Sequence, residues 1–247
     1  MKHHFARLTL GILLCSLTAG QAQETYPLPS FDKLVAGPRI ALILEAGTDE
    51  SLRLEFDQID PDAINFEVTN GTLRIYLDHA RNIERKYKTR TRHGKIKESI
   101  YADGVVNAFI TYRSIHKLVV KGEEYVRVNG TISERTFKLK VFGDMEITFS
   151  ELNTDRLKVK MYGDCTLIVE TGESDRQKYT LFGDHFINTE HFHGRKIKAM
   201  SFGESKFRIN AEQLKIIAFG EVDINCPTST HLKKFVIGES SVCRFRD

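Results

Sequence analysis

From Phe137 to the C-terminus, apolar residues recur at every second position in blocks that restart on a glycine. Alignment on Gly143, Gly163, Gly183, Gly203, Gly220 and Gly238 sorts the chain into columns. Six before the glycine stand Phe137, Leu157, Gln177, Ile197, Leu214 and Leu232. Two before stand Val141, Met161, Leu181, Ser201, Ala218 and Val236, and four after stand Ile147, Leu167, Ile187, Phe207, Ile224 and Val242. A period of two is the mark of a strand with one buried face, and a glycine that interrupts it marks a bend. The glycines are spaced by 20, 20, 20, 17 and 18 residues. A repeat of that length without helical periodicity predicts a solenoid in which each row is one coil. The expected fold is therefore all-β, a parallel β-helix with rungs of about 20 residues, each row being two short strands with a corner at the glycine. The L-x-x-L-x-L phrase of a leucine-rich horseshoe is absent.

Three further columns carry the candidate chemistry. The residue before each glycine is Phe142, Tyr162, Phe182, Phe202, Phe219 and then Ile237. Rungs about 4.8 Å apart would stack these rings into a ladder. Five before each glycine stands a lysine: Lys138, Lys158, Lys178, Lys198, Lys215 and Lys233. Its parity puts this column outside. There it either keeps a flat sheet soluble or forms a basic stripe for an anionic polymer. After each glycine stands an acid: Asp144, Asp164, Asp184, Glu204, Glu221 and Glu239. Either these accept hydrogen bonds from turn N–H groups or they form a calcium ladder. The G-G-x-G-x-D phrase of calcium-binding repeats is missing.

Upstream, short strands are expected at Arg39 to Leu44, Leu52 to Phe56 and Val105 to Tyr112, with a hairpin of Ile64 to Val68 and Thr72 to Leu77 closed by Asn70-Gly71. Gly122 lies 143 − 122 = 21 residues before Gly143 and heads a degenerate first row. The segment 81–97 holds Arg81, Arg85, Lys86, Lys88, Arg90, Arg92, Lys95 and Lys97 against the single acid Glu84. It reads as a projecting basic loop or hairpin. It is either solvated or a second polyanion contact, and it lacks the interleaved aromatics that stack nucleic-acid bases.

Composition changes the picture in two respects. A formal net charge of +3 over 247 residues is too balanced to suggest nucleic acid. The first 22 residues read as a signal peptide. Lys2 and Arg7 precede an apolar run from Leu8 to Leu17, and Gly20-Gln21-Ala22 offers a cleavage site before Gln23. That run is too short to span a membrane. Leu14 is too large for a lipidation signal at Cys15. The remaining 23–247 form one domain, with no transmembrane segment expected in the mature chain. Of its cysteines Cys165, Cys226 and Cys243, the last two are not expected to pair, because their offsets from the glycine differ by one and direct them to opposite faces.

The phrases Phe31-x-x-Leu34-Val35-x-Gly37-Pro38, then Gly47, Val68-x-Asn70-Gly71-Thr72-Leu73-x-Ile75 and Tyr112…Ile115…Leu118-x-Val120-x-Gly122 resemble the opening of the head GIN domain family. Its members carry the name of auto-transporter adhesins and are common in Bacteroidetes. The glycine-centred rows resemble its second half, so the resemblance runs from about Phe31 to Phe245. It implies export, a right-handed single-stranded β-helix and adhesin-like binding. It supplies no catalytic residues.

No phosphate loop, G-x-S-x-G or H-E-x-x-H is present. His191 and His193 flank Phe192 and could share one face of a strand as metal ligands, but no third ligand is fixed by spacing, and neither cofactor nor metal is expected. The function expected is an exported, non-catalytic binding module of the bacterial envelope or surface. Its partner would be a glycan, another anionic polymer or an envelope protein. The candidate contacts are the lysine column together with Arg85, Lys86, Lys88, Arg90 and Arg92. A polysaccharide-acting β-helix enzyme and a structural envelope module are the alternatives.

Overall fold

The computed structural model describes residues 25–84, 86–91, 94–101 and 104–246. The expected signal peptide, Arg85 and Arg92 lie outside them. Four short strands come first: β1 (Thr25–Pro27), β2 (Lys33–Ala36), β3 (Ile40–Ala46) and β4 (Ser51–Asp57). A short 3-10 turn leads to the hairpin β5 (Ile64–Thr69) and β6 (Thr72–Leu77), followed by the hairpin β7 (Lys86–Thr91) and β8 (Gly94–Ser99). Next come β9 (Val105–Tyr112) and β10 (Lys117–Lys121), and then the long coils β11 (Val126–Phe142), β12 (Met145–Tyr162), β13 (Cys165–Phe182), β14 (His185–Phe202) and β15 (Ser205–Phe219). The chain closes on β16 (Val222–Pro227), β17 (His231–Ile237) and β18 (Ser240–Phe245). No α-helix occurs among the described residues.

The coils stack in parallel and in register, so the aligned glycine rows are physical neighbours: Leu139, Val159, Tyr179, Ala199 and Ile216 lie one above another. Their side chains form one continuous core with Phe137, Phe149, Phe192 and Phe207, all nearly inaccessible to solvent. The fold is a β-solenoid, as the alternation predicts. Gln177, the polar member of an apolar column, is buried, and its side-chain oxygen accepts the Tyr179 hydroxyl at 2.7 Å. Pairing two neighbours in one rung satisfies the Tyr179 hydroxyl and the Gln177 oxygen, while the Gln177 amide nitrogen stays buried without a partner.

Each rung has three sides rather than the two expected. Between β12 and β13 the ladder breaks at Ser150 and again at Asp155, leaving a short third side filled by Ile132, Leu152 and Phe192. Its apolar signal is one residue per rung, too sparse for periodicity to register. The same side explains the short spacing. From β14 to β15 the register passes from Thr189–Ile209 directly to His193–Asn210, so the later row loses residues only here.

The N-terminal end departs from the parallel pattern. β3 and β9 pair in parallel, but β9 with β4, β4 with β1 and β6 with β5 are antiparallel. These strands cover one end of the solenoid and remove its open edge. Asn70 and Gly71 take φ of 51° and 68°, the left-handed pair of a type I′ hairpin turn. At the other end the last rung carries charges in the interior columns. Lys234 follows Ile216 in register, and Arg244 donates to the carbonyls of Pro227 and Thr230 at 2.8 and 2.9 Å. Inward-pointing charge on an edge strand discourages further strand addition.

Candidate functional site

One side of the solenoid is basic. It is the segment that precedes each glycine corner, and its outward columns are fixed by rung register. The lysine column runs unbroken through Lys33, Lys117, Lys138, Lys158, Lys178, Lys198, Lys215 and Lys233. All six sequence-predicted lysines are therefore neighbours, and two more extend the column. Lys117 stands five before Gly122, so the row expected to be degenerate keeps the rule. Lys33 stands only four before Gly37, which is why glycine alignment hides it. Two residues earlier runs a second basic column of Arg156, Arg176 and Lys196. Between the columns lies a trough of about 550 Å³ lined by Arg156, Lys158, Arg176, Lys178, Lys196 and Lys198, with Leu157 and Gln177 at its floor.

No acid pairs with Arg156, Lys158, Lys178, Lys196 or Lys198 among the described residues. The acids are used elsewhere. A larger groove of about 720 Å³ on the third side has an acidic lining, in which Glu134, Asp155, Glu173, Asp175 and Glu212 outnumber Arg135 and Arg195. Asp175 binds both Arg195 and Arg176, Arg135 faces Asp155 at 3.8 Å, and His193 faces Glu212 at 3.6 Å. Hydrogen bonds from Arg195 and Arg176 hold the Asp175 carboxyl down to about 2. That lining repels a polyanion, whereas the trough offers Arg156, Lys158, Lys178, Lys196 and Lys198, none of them paired with an acid among the described residues.

The acid column has a structural use. The Asp144 carboxylate accepts the backbone N–H of Asp164 at 2.8 Å, Asp164 that of Asp184 at 3.2 Å, and Asp184 that of Glu204 at 3.1 Å. Each aspartate thus ties its corner to the next rung, which offsets the repulsion of stacked like charges. Among the described residues no three His, Cys, Asp or Glu side chains converge to hold a metal. Asp164→Ala should cost about 1.5–3 kcal/mol, the range for a hydrogen bond to a charged group, while Asp164→Asn, which keeps the acceptor oxygen, should recover most of it. Thermal melts of the two variants check this.

Inside the same corner Cys165 and His185 are register neighbours. They do not form a nucleophile pair. Burial pushes the Cys165 thiol up to about 11, and the sulfur donates to the Gly143 carbonyl at 3.1 Å. Burial also lowers the His185 pKa below its ordinary 6.5, outweighing the opposite pull of nearby carbonyls, Asp164 and Asp184. Above that value both folded and unfolded chains hold a neutral ring. Below it the unfolded chain binds the proton first, so stability falls as pH falls. His185→Phe should flatten the decline in melting temperature as pH falls below about 6.5, measured against the parent chain.

The other candidates are placed as follows. Lys86, Lys88 and Arg90 lie on β7, which pairs antiparallel with β8 in a separate two-stranded sheet. The hairpin expectation for 81–97 therefore has its backbone counterpart, with no strand pairing to the lysine column. Phe192 is fully buried while His191 and His193 point outward. Cys226 is buried, Cys243 is exposed and both are free, because Cys226 registers with Arg244 and Cys243 with Asn225. All six corner glycines have positive φ, from 111° to 135°.

Comparison with known proteins places the chain. A family model described as "Putative auto-transporter adhesin, head GIN domain" matches residues 30–227. The chain belongs to that family. Three solved structures share its fold. One, described as a putative adhesin from Bacteroides fragilis NCTC 9343, is 16% identical with a TM-score of 0.66, covering 90% of this chain and 96% of that one. A second, described as a putative adhesin from Parabacteroides merdae ATCC 43184, is 12% identical with a TM-score of 0.60, covering 90% and 94%. A third, described as a putative lipid binding protein from Parabacteroides distasonis ATCC 8503, is 16% identical with a TM-score of 0.54, covering 92% and 98%. No curated protein matches the chain.

Proposed function

We propose that the chain is an exported, non-catalytic binding module of the bacterial envelope that engages a polyanionic ligand through the basic side of its solenoid. The observation that carries this reading is the eight-lysine column flanked by Arg156, Arg176 and Lys196. One cation per rung makes a linear array of charge at fixed spacing, suited to a ligand that repeats its negative charge. Family membership supports adhesin-like binding. The basic n-region and apolar run of residues 1–22 support export. Among the described residues no helix is long and apolar enough to cross a membrane.

Two experiments test it. On immobilised dextran sulfate the purified protein is expected to be retained at low salt and released as salt rises, as counterion-linked binding requires. Passage without retention at low salt would overturn the reading. Protease treatment of intact and outer-membrane-permeabilised cells then locates the protein. Digestion in either case supports export, and persistence in both with the cytoplasmic markers contradicts it.

A further inference from the structure

We infer that the C-terminal half of the basic side is a docking surface for an anionic lipid bilayer. The inference rests on the polyanion reading and names the ligand for that side. The aromatic column forms a ladder on the outer surface. Phe142, Tyr162, Phe182, Phe202 and Phe219 stack with centroids 4.8–5.1 Å apart and planes parallel to within 3°. Rings stacked this way cover one another's faces and turn their edges outward. A sugar stacks on a ring face, so this ridge is a poor glycan platform. A row of ring edges is instead an apolar crest of the kind that settles at the lipid headgroup level.

The column between crest and lysines changes character along the axis. It reads Lys140, Lys160, Thr180, Met200, Ile217 and Phe235. Over the last rungs it joins the crest to make one apolar patch of Met200, Ile217, Phe219, Phe235 and Ile237. Phe235 and Ile237 are 58% and 57% exposed, high for residues of that size. Lys198, Lys215 and Lys233 border the patch four residues from the crest, on the order of 13 Å across the sheet. An apolar patch edged by lysines matches a bilayer rich in anionic lipid, with the patch at the headgroup–acyl boundary and the lysines on phosphates. The acids do not intrude on this side. Glu204 is paired with Lys206 at 2.9 Å, and Glu221 and Glu239 stand past the glycine corner.

The test is flotation of the purified chain with phosphatidylcholine vesicles, with and without phosphatidylglycerol. Binding is expected only with phosphatidylglycerol. The double variant Phe235→Ser, Ile237→Ser should lower it about tenfold while leaving retention on dextran sulfate unchanged. The triple variant Lys198→Glu, Lys215→Glu, Lys233→Glu should abolish both. The chain has no tryptophan, so Phe235→Trp provides a folded reporter whose emission should shift to the blue on anionic vesicles. Retention of the parent chain on dextran sulfate without vesicle binding would overturn the lipid inference and leave the basic-side reading standing, whereas a parent chain that binds neither would overturn both. Equal binding to neutral vesicles, or no spectral shift at position 235 on vesicles that bind, would also overturn it.

Discussion

Replacing Gly183 by valine is expected to destabilise the protein by roughly 4 kcal/mol or more, the range reserved for strained or overpacked sites. Two costs add. The residue sits at φ 117°, where an L side chain is strained by about 1–3 kcal/mol. A Cβ there would lie 2.4 Å from the Gly163 carbonyl oxygen, and that atom belongs to the neighbouring rung's backbone, which cannot swing aside. For a chain of this length each kcal/mol lowers the melting temperature by about 2–4 °C, so a fall of roughly 8–16 °C is expected. Alanine should be nearly as harmful, because the clash is with the Cβ itself. Lys178→Val in the same rung, an outward strand position, should change stability by less than about 1 kcal/mol. Melts followed by circular dichroism separate these cases, and a Gly183→Val protein as stable as its parent would contradict the corner geometry.

Reversing three charges in the trough should have the largest effect on binding. Lys158, Lys178 and Lys198 are successive rungs of one column and have no acidic partner among the described residues. A lysine near an anionic surface is worth about 1 kcal/mol. Losing three is about 3 kcal/mol, or roughly 100-fold in affinity, and the introduced glutamates add repulsion. Lys158→Glu, Lys178→Glu, Lys198→Glu should therefore weaken retention on dextran sulfate at least about 100-fold at low salt. The melting temperature should stay close to the parent's, because the stem of each lysine is solvated. Unchanged, salt-insensitive retention would show that the ligand uses another side.

Most of the architecture was legible because period-two alternation and a glycine corner are local signals repeated many times. The lysine and aromatic columns were legible for the same reason, since stacking in register turns a spacing in sequence into a neighbour in space. What escaped notice was whatever broke the spacing. Lys33 sits one residue out of phase with Gly37, and the third side shows one apolar residue per rung, of which one is Gly172. Of the antiparallel cap, the β5–β6 hairpin was legible from Asn70-Gly71, whereas the pairing of β9 with β4 and of β4 with β1 escaped because pairing direction leaves no trace in alternation. The acid column could be read either as bend acceptors or as a calcium ladder. The carboxylate-to-N–H bonds between rungs, such as Asp144 to Asp164, are a third arrangement that only the stacking reveals. The apolar patch at Met200, Ile217 and Phe235 was invisible because outward columns were read singly, and the patch exists only where two of them adjoin.

Lysine footprinting tests the central claim most directly. The purified protein is acetylated with a limiting reagent, free and bound to dextran sulfate, and modification is read residue by residue. Protection of Lys158, Lys178, Lys196 and Lys198, with Lys206 on the other side of the corner unchanged, is the predicted result. Uniform protection of all surface lysines, or protection centred on Lys206, would contradict a binding face on the basic side.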